Sequence, residues 1–447
     1  MSIERQGVLK QELIAGNIPE RLWGFRQPTV LVESQSAPAL IGDPAEQAYI
    51  RAFVLANSSD MVITDFPLNS TYLHEYLEGM LGFDLPEFNV TKTNGARCLS
   101  ENIMSDEAIK EKAKGWASGK QGAARIQFFN VTAYEKVLQA QLGIEATCGN
   151  VDLTIAFGSK PGFRRLCEGL GLPMPEGYIC SNLDLTVQVA EKFMRSGRRA
   201  LIKSQHGTGG TDLKSNVMIS EKDFKETGIE GIEDYVLSKM EELGRVLGEK
   251  WVVEEEVAGE DGSVHVYIHD TNSADEPFIL GALSENNSYV GGYWPFVANG
   301  RFVQMAAMVR DVIVPHFQKM GVYGYHCFDF KGTYFLEDNA RQGALDFIDG
   351  IVNRISRIHF PRVPYAFWHN HISIPQPLSF ERAFLLLKDF MAPQKSNGNF
   401  LVITNPEVLP YGRSLDLTAV SFGKEHSIED ARRYFDEVKT WLNPKLI

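Results

Sequence analysis

The sequence has no C-x-x-C pair, no apolar run long enough to cross a bilayer, no excess of positive charge, and no internal repeat or low-complexity segment. Each absence removes a class of protein. The five cysteines are odd in number, and Cys167, Cys180 and Cys327 stand beside apolar residues, so they read as reduced core thiols rather than a disulfide framework. A spanning helix needs about 20 apolar residues, and the start, MSIERQGVLK, is charged where a signal peptide would be apolar. The expectation is a soluble, cytoplasmic protein without a membrane partner. The net charge of −13 argues against nonspecific nucleic-acid binding, which needs a basic surface, but it leaves room for a local basic pocket for a small anion. The Walker order G-x-x-x-x-G-K-[ST] is missing too. The glycine-rich loop HGTGGTDLKS has no Gly-Lys-Ser/Thr and does not open onto an evident helix, so neither a P-loop nor a dinucleotide fingerprint is present.

What is present is a chain of 447 residues with 44% hydrophobic and 23% charged content, enough for two or three domains with ample core. The first part alternates strand-like and helix-like stretches. TVLVES (29–34), MVITDF (61–66) and IQFFNVT (126–132) are short β-branched or apolar runs, and the helical spacing in TYLHEYLEGMLG follows a cap at Asn69-Ser70. This order predicts an open, largely parallel α/β sheet over residues 1–158. From residue 159 the texture changes. A short helix follows SKPG, then come the strands ALIKS, NVMIS, WVVEEEV, SVHVYIHD and FILGAL, one long helix over 301–321, and a hairpin made of GYHCFDF and TYFLEDN. The tail over 372–447 reads as a small α+β lobe.

Polar residues punctuate these strands at informative places. Lys160 opens the helix after SKPG, and Lys203 ends a buried strand just before the glycine loop. A buried ammonium needs a counter-charge, which a carboxylate or a phosphate could supply. Three glutamates in WVVEEEV must point to both faces of a strand. In YFLEDNARQG, Glu337, Asn339 and Arg341 share one face. A carboxylate and a carboxamide suit Mg²⁺, which often takes one or two carboxylates plus substrate phosphates. A guanidinium suits a carboxylate or a phosphoryl oxygen.

Two lysines, a glycine loop, an acidic strand and E-x-N-x-R, in this order from Ser159 to about Asp349, resemble the ATP-grasp superfamily. The long α/β region in front and the tail ITNPEVLPYGRSLDLTAVSFG look like the peptide ligases with a pre-ATP-grasp domain, the pheganomycin type. The resemblance implies an N-terminal pre-ATP-grasp domain (1–158), an ATP-grasp domain carrying the ATP and Mg²⁺ sites (159–371) and a C-terminal lobe (372–447). It implies that Lys160 and Lys203 contact the ATP phosphates, and that Gly207, Gly209 and Gly210 belong to the loop closing over them. Glu254 would start the adenine hinge, with the backbone of Glu255 and Val257 facing the base and Asp261 near the ribose. Glu337 and Asn339 would hold Mg²⁺, and Arg341 would touch the acyl phosphate or the acceptor.

The third metal ligand stays open. GYHCFDF nominates Asp329, but a two-residue turn at Lys331-Gly332 would set Asp329 opposite Tyr334 and His326 opposite Glu337. His369 and His371 in WHNH read as surface packing, as do His265 and His269. SENNSYVGGYWP (284–295) reads as a substrate loop or an ordinary connection. The activity implied is a carboxylate–amine (peptide) ligase acting on small acids and amino acid or peptide amines. The alternatives are a carboxylase or kinase-like enzyme of the same fold, or a non-catalytic nucleotide-binding protein. The N-terminal domain could build a homodimer interface.

Overall fold

The structure, a computed structural model, describes residues 27–446 apart from 38–39, 94, 206–215, 229–230, 243–249, 286–287, 297–299, 362, 394–397, 412–413 and 424–426. Its first sheet contains β1 (Thr29–Val32), β2 (Met61–Thr64), β3 (Glu87–Val90), β4 (Arg125–Phe128) and β5 (Glu145–Ala146). The order is β3-β2-β1-β4-β5, parallel throughout. TVLV and MVIT are wholly buried, as unbroken apolar runs in a parallel sheet must be. Strand β3, EFNV, has no such run and is mostly open to solvent, so its sequence does not announce it. Between β2 and β3 lies the Thr71–Met80 helix. Asn69 Oδ1 accepts from the Tyr72 N–H at 2.9 Å, and Gly82 follows its end at φ 71°.

The second sheet is antiparallel and holds β6 (Gly177–Cys180), β7 (Ala200–Ser204), β8 (Asn216–Ile219) and β9 (Trp251–Glu255), ordered β6-β9-β7-β8. The third contains β10 (Asp261–Ile268), β11 (Phe278–Glu285), β12 (Ser288–Trp294), β13 (Gly324–Lys331), β14 (Tyr334–Asn339), β15 (Tyr365–Ser373), β16 (Asn399–Thr404) and β17 (Ser414–Phe422). Its order is β14-β13-β10-β11-β12-β15-β17-β16.

Three features differ from the sequence reading. The SENNSYVGGYWP segment is not a loop; most of it is β12, which pairs with β11 and β15. Gly291 and Gly292 are needed there, since a Cβ at Gly291 would sit 2.2 Å from the His369 carbonyl oxygen. The 301–321 helix is interrupted by a π turn at Val309–Ile313. Pro315 follows it, and its missing N–H cannot bond the Asp311 carbonyl. The tail strands β16 and β17 extend the third sheet through β15, so the division at residue 372 falls inside β15. The tail also shares a core with the N-terminal region. Tyr72 packs edge-on against Phe380 at 5.0 Å, and Tyr76, Phe400 and Phe422 belong to the same buried cluster. Among the described residues no helix is long and apolar enough to cross a membrane.

Candidate active site

Alternation along β10, β13 and β14 sorts their side chains onto two faces. Val264, Val266, Phe328, Phe330 and Phe335 enter a core with Phe163 and Phe317. The opposite face carries Asp261 and Ser263 of β10, Asp329 of β13, and Glu337 and Asn339 of β14.

The β13–β14 register decides the third member of the cluster. The turn lies one residue later than Lys331-Gly332, with Lys331 opposite Tyr334, and Gly332 adopts φ 61°. A bulge then leaves Leu336 without a partner, so Asp329 faces Glu337. Asp329 therefore joins the cluster and His326 does not. His326 lies on the core face, where its Nδ1 sits 3.0 Å from Asp338 Oδ2. The Asn339 amide donates to Asp329 Oδ2 at 2.8 Å, which leaves the Asn339 carbonyl oxygen for another partner.

Lys160 reaches this cluster from the start of helix α1 (Lys160–Leu170). Ser159 caps that helix by accepting from the Gly162 N–H at 3.1 Å. The Lys160 N–H donates to the Gln205 carbonyl at 3.1 Å, which ties the helix start to the end of β7. The Lys160 ammonium lies 2.8 Å from Glu337 Oε2. Lys203, on β7, forms a tight ion pair with Glu254 of β9, and Glu254 Oε2 also meets Arg164 at 3.3 Å. All three side chains are buried. Glu254 is thus the counter-charge that the buried Lys203 requires, and its side chain points to the lysine. Arg164, one helical turn after Lys160, carries no motif and escapes a sequence reading; only the spacing of four from Lys160 hints at it.

The remaining expected residues are placed as follows. The Glu255 N–H donates to the Glu176 carbonyl at 2.9 Å, and its carboxylate pairs with Arg198 at 2.8 Å. Its N–H is therefore unavailable to a base, while Val257 follows the end of β9, half-buried. Asp261 lies 3.6 Å from Lys331, on the cluster's face of the sheet but nearer the turn. Arg341 stands just beyond β14, its guanidinium 5.6 Å from the ring centre of Phe129, the residue that follows β4. Gly207, Gly209 and Gly210 lie outside the described residues.

The charges are unevenly held. Burial, and then the neighbouring Glu337 carboxylate, push Asp329 well above the usual carboxylate range. Burial would raise Glu337 as well, but Lys160, with Lys203 and Arg341 farther off, holds it below its ordinary value. Burial lowers Arg341, against the pull of Glu337 and Asp329. Two carboxylates of which one is pushed to take a proton form a place where a cation would be favoured. No group of three or more His, Cys, Asp or Glu among the described residues is arranged to hold a metal. The donor set is instead Glu337, Asp329 and the Asn339 carbonyl oxygen, all hard oxygens, which fits a Mg²⁺ that completes its shell with phosphates and water.

No family profile matches the chain, and no curated protein matches it. Solved structures do. The ADP complex of PurK, N5-carboxyaminoimidazole ribonucleotide synthetase, superposes with a TM-score of 0.56 at 12% identity, over 93% of this chain and 97% of that one. N5-carboxyaminoimidazole synthase from Aspergillus clavatus, in complex with ADP and 5-aminoimidazole ribonucleotide, gives 0.56 at 11%, over 93% and 99%. The biotin carboxylase domain of 2-oxoglutarate carboxylase from Hydrogenobacter thermophilus, a dimer with MgADP and bicarbonate, gives 0.52 at 13%, over 89% and 86%. At such identities the likeness concerns the fold. The chain therefore shares the fold of these structures, an N-terminal α/β unit followed by an ATP-grasp fold.

Proposed function

We propose that this protein is an ATP-dependent carboxylate–amine ligase, joining a small acid to an amino acid or peptide amine and releasing ADP and phosphate. The observation that carries the reading is the convergence of Lys160 on Glu337, within a cluster of two carboxylates and a carboxamide, beside Lys203. An amine does not displace oxide from a carboxylate, so the acid must first be activated. In this reading Lys160 exchanges Glu337 for a phosphate, and Lys203, set by Glu254, neutralises a second phosphoryl oxygen. Glu337, Asp329 and Asn339 would hold Mg²⁺, which supplies charge neutralisation at the phosphates. Arg341 orients the activated acyl group or the acceptor through its planar fork. The ADP, MgADP and ATP complexes of proteins with this fold support the nucleotide.

Glu337→Ala and Lys203→Ala test the assignment. Removing one charge-stabilising group typically costs about 3–4 kcal/mol at the transition state, roughly a hundred- to thousand-fold in rate. Phosphate release from MgATP, screened over acids and amines, should fall by that factor in each variant while the circular dichroism spectrum is kept. Near-normal release in either variant removes that residue from the site. A second reading, ATP-dependent carboxylation, draws on the same fold likeness, since a carboxylase and carboxyaminoimidazole synthetases share the fold. Turnover that requires bicarbonate and yields no amide would favour it.

A further inference from the structure

A chain of three buried polar side chains leads from the start of helix α2 (Ala344–His359) to the face of the third sheet that carries Asp329 and Glu337. Ser263, His265 and Asp346 are only 4%, 2% and 2% exposed, so His265 is not the surface residue that the sequence suggests. Ser263 Oγ lies 2.6 Å from His265 Nε2. On the other side of the ring, His265 Nδ1 lies 2.7 Å from Asp346 Oδ1. Asp346 is held in turn through its other oxygen, which accepts from the Gly343 N–H at 2.5 Å. Alternation along β10 puts Ser263 and His265 on one face, and the register sets Ser263 directly opposite Asp329 and His265 opposite Cys327. Side chains paired in this way stand about 4.5–5.5 Å apart at Cβ. The Ser263 hydroxyl is therefore the end of the chain nearest the metal-type cluster.

The direction of the chain follows from its partners. A carboxylate only accepts, so a neutral His265 carries its proton on Nδ1, toward Asp346, and leaves Nε2 to accept from the Ser263 hydroxyl. The Cys327 thiol is 3.8 Å from the same Nε2 but donates to Asp329 Oδ1 at 3.5 Å. The contact between Nδ1 and Asp346 is close but off-line, and neither atom has another hydrogen-bond partner. Contacts of this kind in proton-transfer sites tighten once substrate is seated. The ring is fixed by stacking on Phe278 at 5.2 Å, and Gly343 passes so near that a Cβ there would lie 3.2 Å from His265 Cε1. The titratable groups facing His265 are thus Asp346 of α2 and Cys327 of β13, with Asp329 behind Cys327 and Tyr325 within the field of Asp346. The neighbouring histidines are placed otherwise: His326 meets Asp338 on the core face, and His269, just past β10, pairs with Asp275 at 2.8 Å. A hydroxyl, an imidazole and a carboxylate in this order can draw a proton from a group at the hydroxyl.

We infer that Ser263, His265 and Asp346 relay a proton away from the amine acceptor as it attacks the acyl phosphate; the inference rests on the ligase reading above. An amine arrives mostly as an ammonium, which has no lone pair to attack with. Ser263 Oγ takes one ammonium proton as its own passes to His265 Nε2, and the imidazolium then faces Asp346. The freed lone pair forms the C–N bond. The bond from the carbonyl carbon to the phosphoryl oxygen breaks, and its electrons leave on phosphate, which takes the second amine proton. Lys160, Lys203 and Arg341 are cations, and Glu337 and Asp329 face the metal, so none of them supplies this base.

The test separates activation of the acid from attack by the amine. With MgATP and the acid and amine found in the phosphate-release screen, the full chain is assayed for amide, and in parallel for hydroxamate with hydroxylamine in place of the amine. Hydroxylamine is unprotonated at neutral pH and needs no base to capture an acyl phosphate. General-base assistance is typically worth about 10²–10⁴-fold, so in Ser263→Ala and in His265→Gln the ratio of amide to hydroxamate should fall about a hundredfold or more. Amide formation should level off with rising pH in wild type, and in both variants it should go on rising with the fraction of free amine. If His265→Gln does not fold, Ser263→Ala, which removes only a hydroxyl, carries the comparison. An unchanged ratio, whether both rates fall together or neither does, would show that the three side chains only pack; it would overturn the relay and leave the ligase reading standing. No amide and no hydroxamate from wild type with any acid screened would remove the ligase reading, and the relay with it.

Discussion

Lys203, Glu254 and Arg164 form a buried triad in which each charge depends on the next. Removing one member of such a set leaves an uncompensated charge, which typically costs about 3–5 kcal/mol. Glu254→Gln should therefore lower the unfolding free energy by about that amount, read as a shift of the urea midpoint, because Lys203 and Arg164 are then buried together without their shared carboxylate. An unchanged midpoint would mean that the two cations find other partners. His369 offers a second prediction. Burial, and then the charge of His371, lower it from 6.5 to about 3. A base with a depressed folded value is protonated first in the unfolded chain, so its contribution to stability is intact above pH 6.5 and is lost as pH falls from there toward 3. Glu33 and Asp60, pushed up to about 7 and about 6 by burial, act with the opposite sign. The readout is therefore the difference between wild type and His369→Asn. Between pH 7 and pH 5 wild type should lose about 2 kcal/mol more than the variant, at 1.36 kcal/mol per pH unit below 6.5. Parallel pH profiles would show that His369 titrates normally. At this scale the sequence was partly legible. Lys160, Lys203, Glu337 and Asn339 stand at strand and helix ends, where polar residues interrupt apolar runs. Asp416 and His369 gave no such signal, because their partners, His371 and Thr418, lie on strands distant in the chain, and WHNH reads as surface only until β17 covers it.

Elements set the geometry that these residues use. The start of α1 is held by Ser159 and by the bond from Lys160 to Gln205, and it passes close to the helix before it. A Cβ on Gly162 would lie 1.8 Å from the Ala156 carbonyl oxygen. Gly162→Ala must therefore push α1 away and carry Lys160 from Glu337. Overpacking of this kind typically costs about 1–3 kcal/mol. ATP affinity, measured by equilibrium titration, should fall tenfold or more, whereas an unaltered affinity would show that the lysine's position is not set by this contact. The β13–β14 ribbon shows why element boundaries are easier to read than register. Both strands were evident from their apolar runs, but a turn displaced by one residue and a single bulge at Leu336 exchanged His326 for Asp329 opposite Glu337. Side-chain periodicity carries no mark of a bulge. Strand β12 was hidden for a related reason: its glycines, required by close backbone contact with β15, have the composition of a loop.

For the whole molecule, the N-terminal region is fastened to the helix Ala344–His359, which follows β14 of the third sheet. Arg354 of that helix donates to the carbonyls of Val54 at 3.0 Å and Ala56 at 2.7 Å and meets Asp84 at 2.6 Å. The β–α alternation and the sequence of motifs made the parallel sheet and the nucleotide-type fold readable. Sharing of a core between residues 72 and 422 was not readable, since contacts between distant segments leave no local pattern. The central claim is that two lysines and a divalent-cation cluster energise an acid by phosphoryl transfer from ATP. Its most direct test uses the acid found in the phosphate-release screen, labelled with ¹⁸O in its carboxylate, and mass spectrometry of the products. The account predicts ADP, an amide, and one ¹⁸O atom carried into the released phosphate; label in AMP, or unlabelled phosphate alongside the amide, would contradict it.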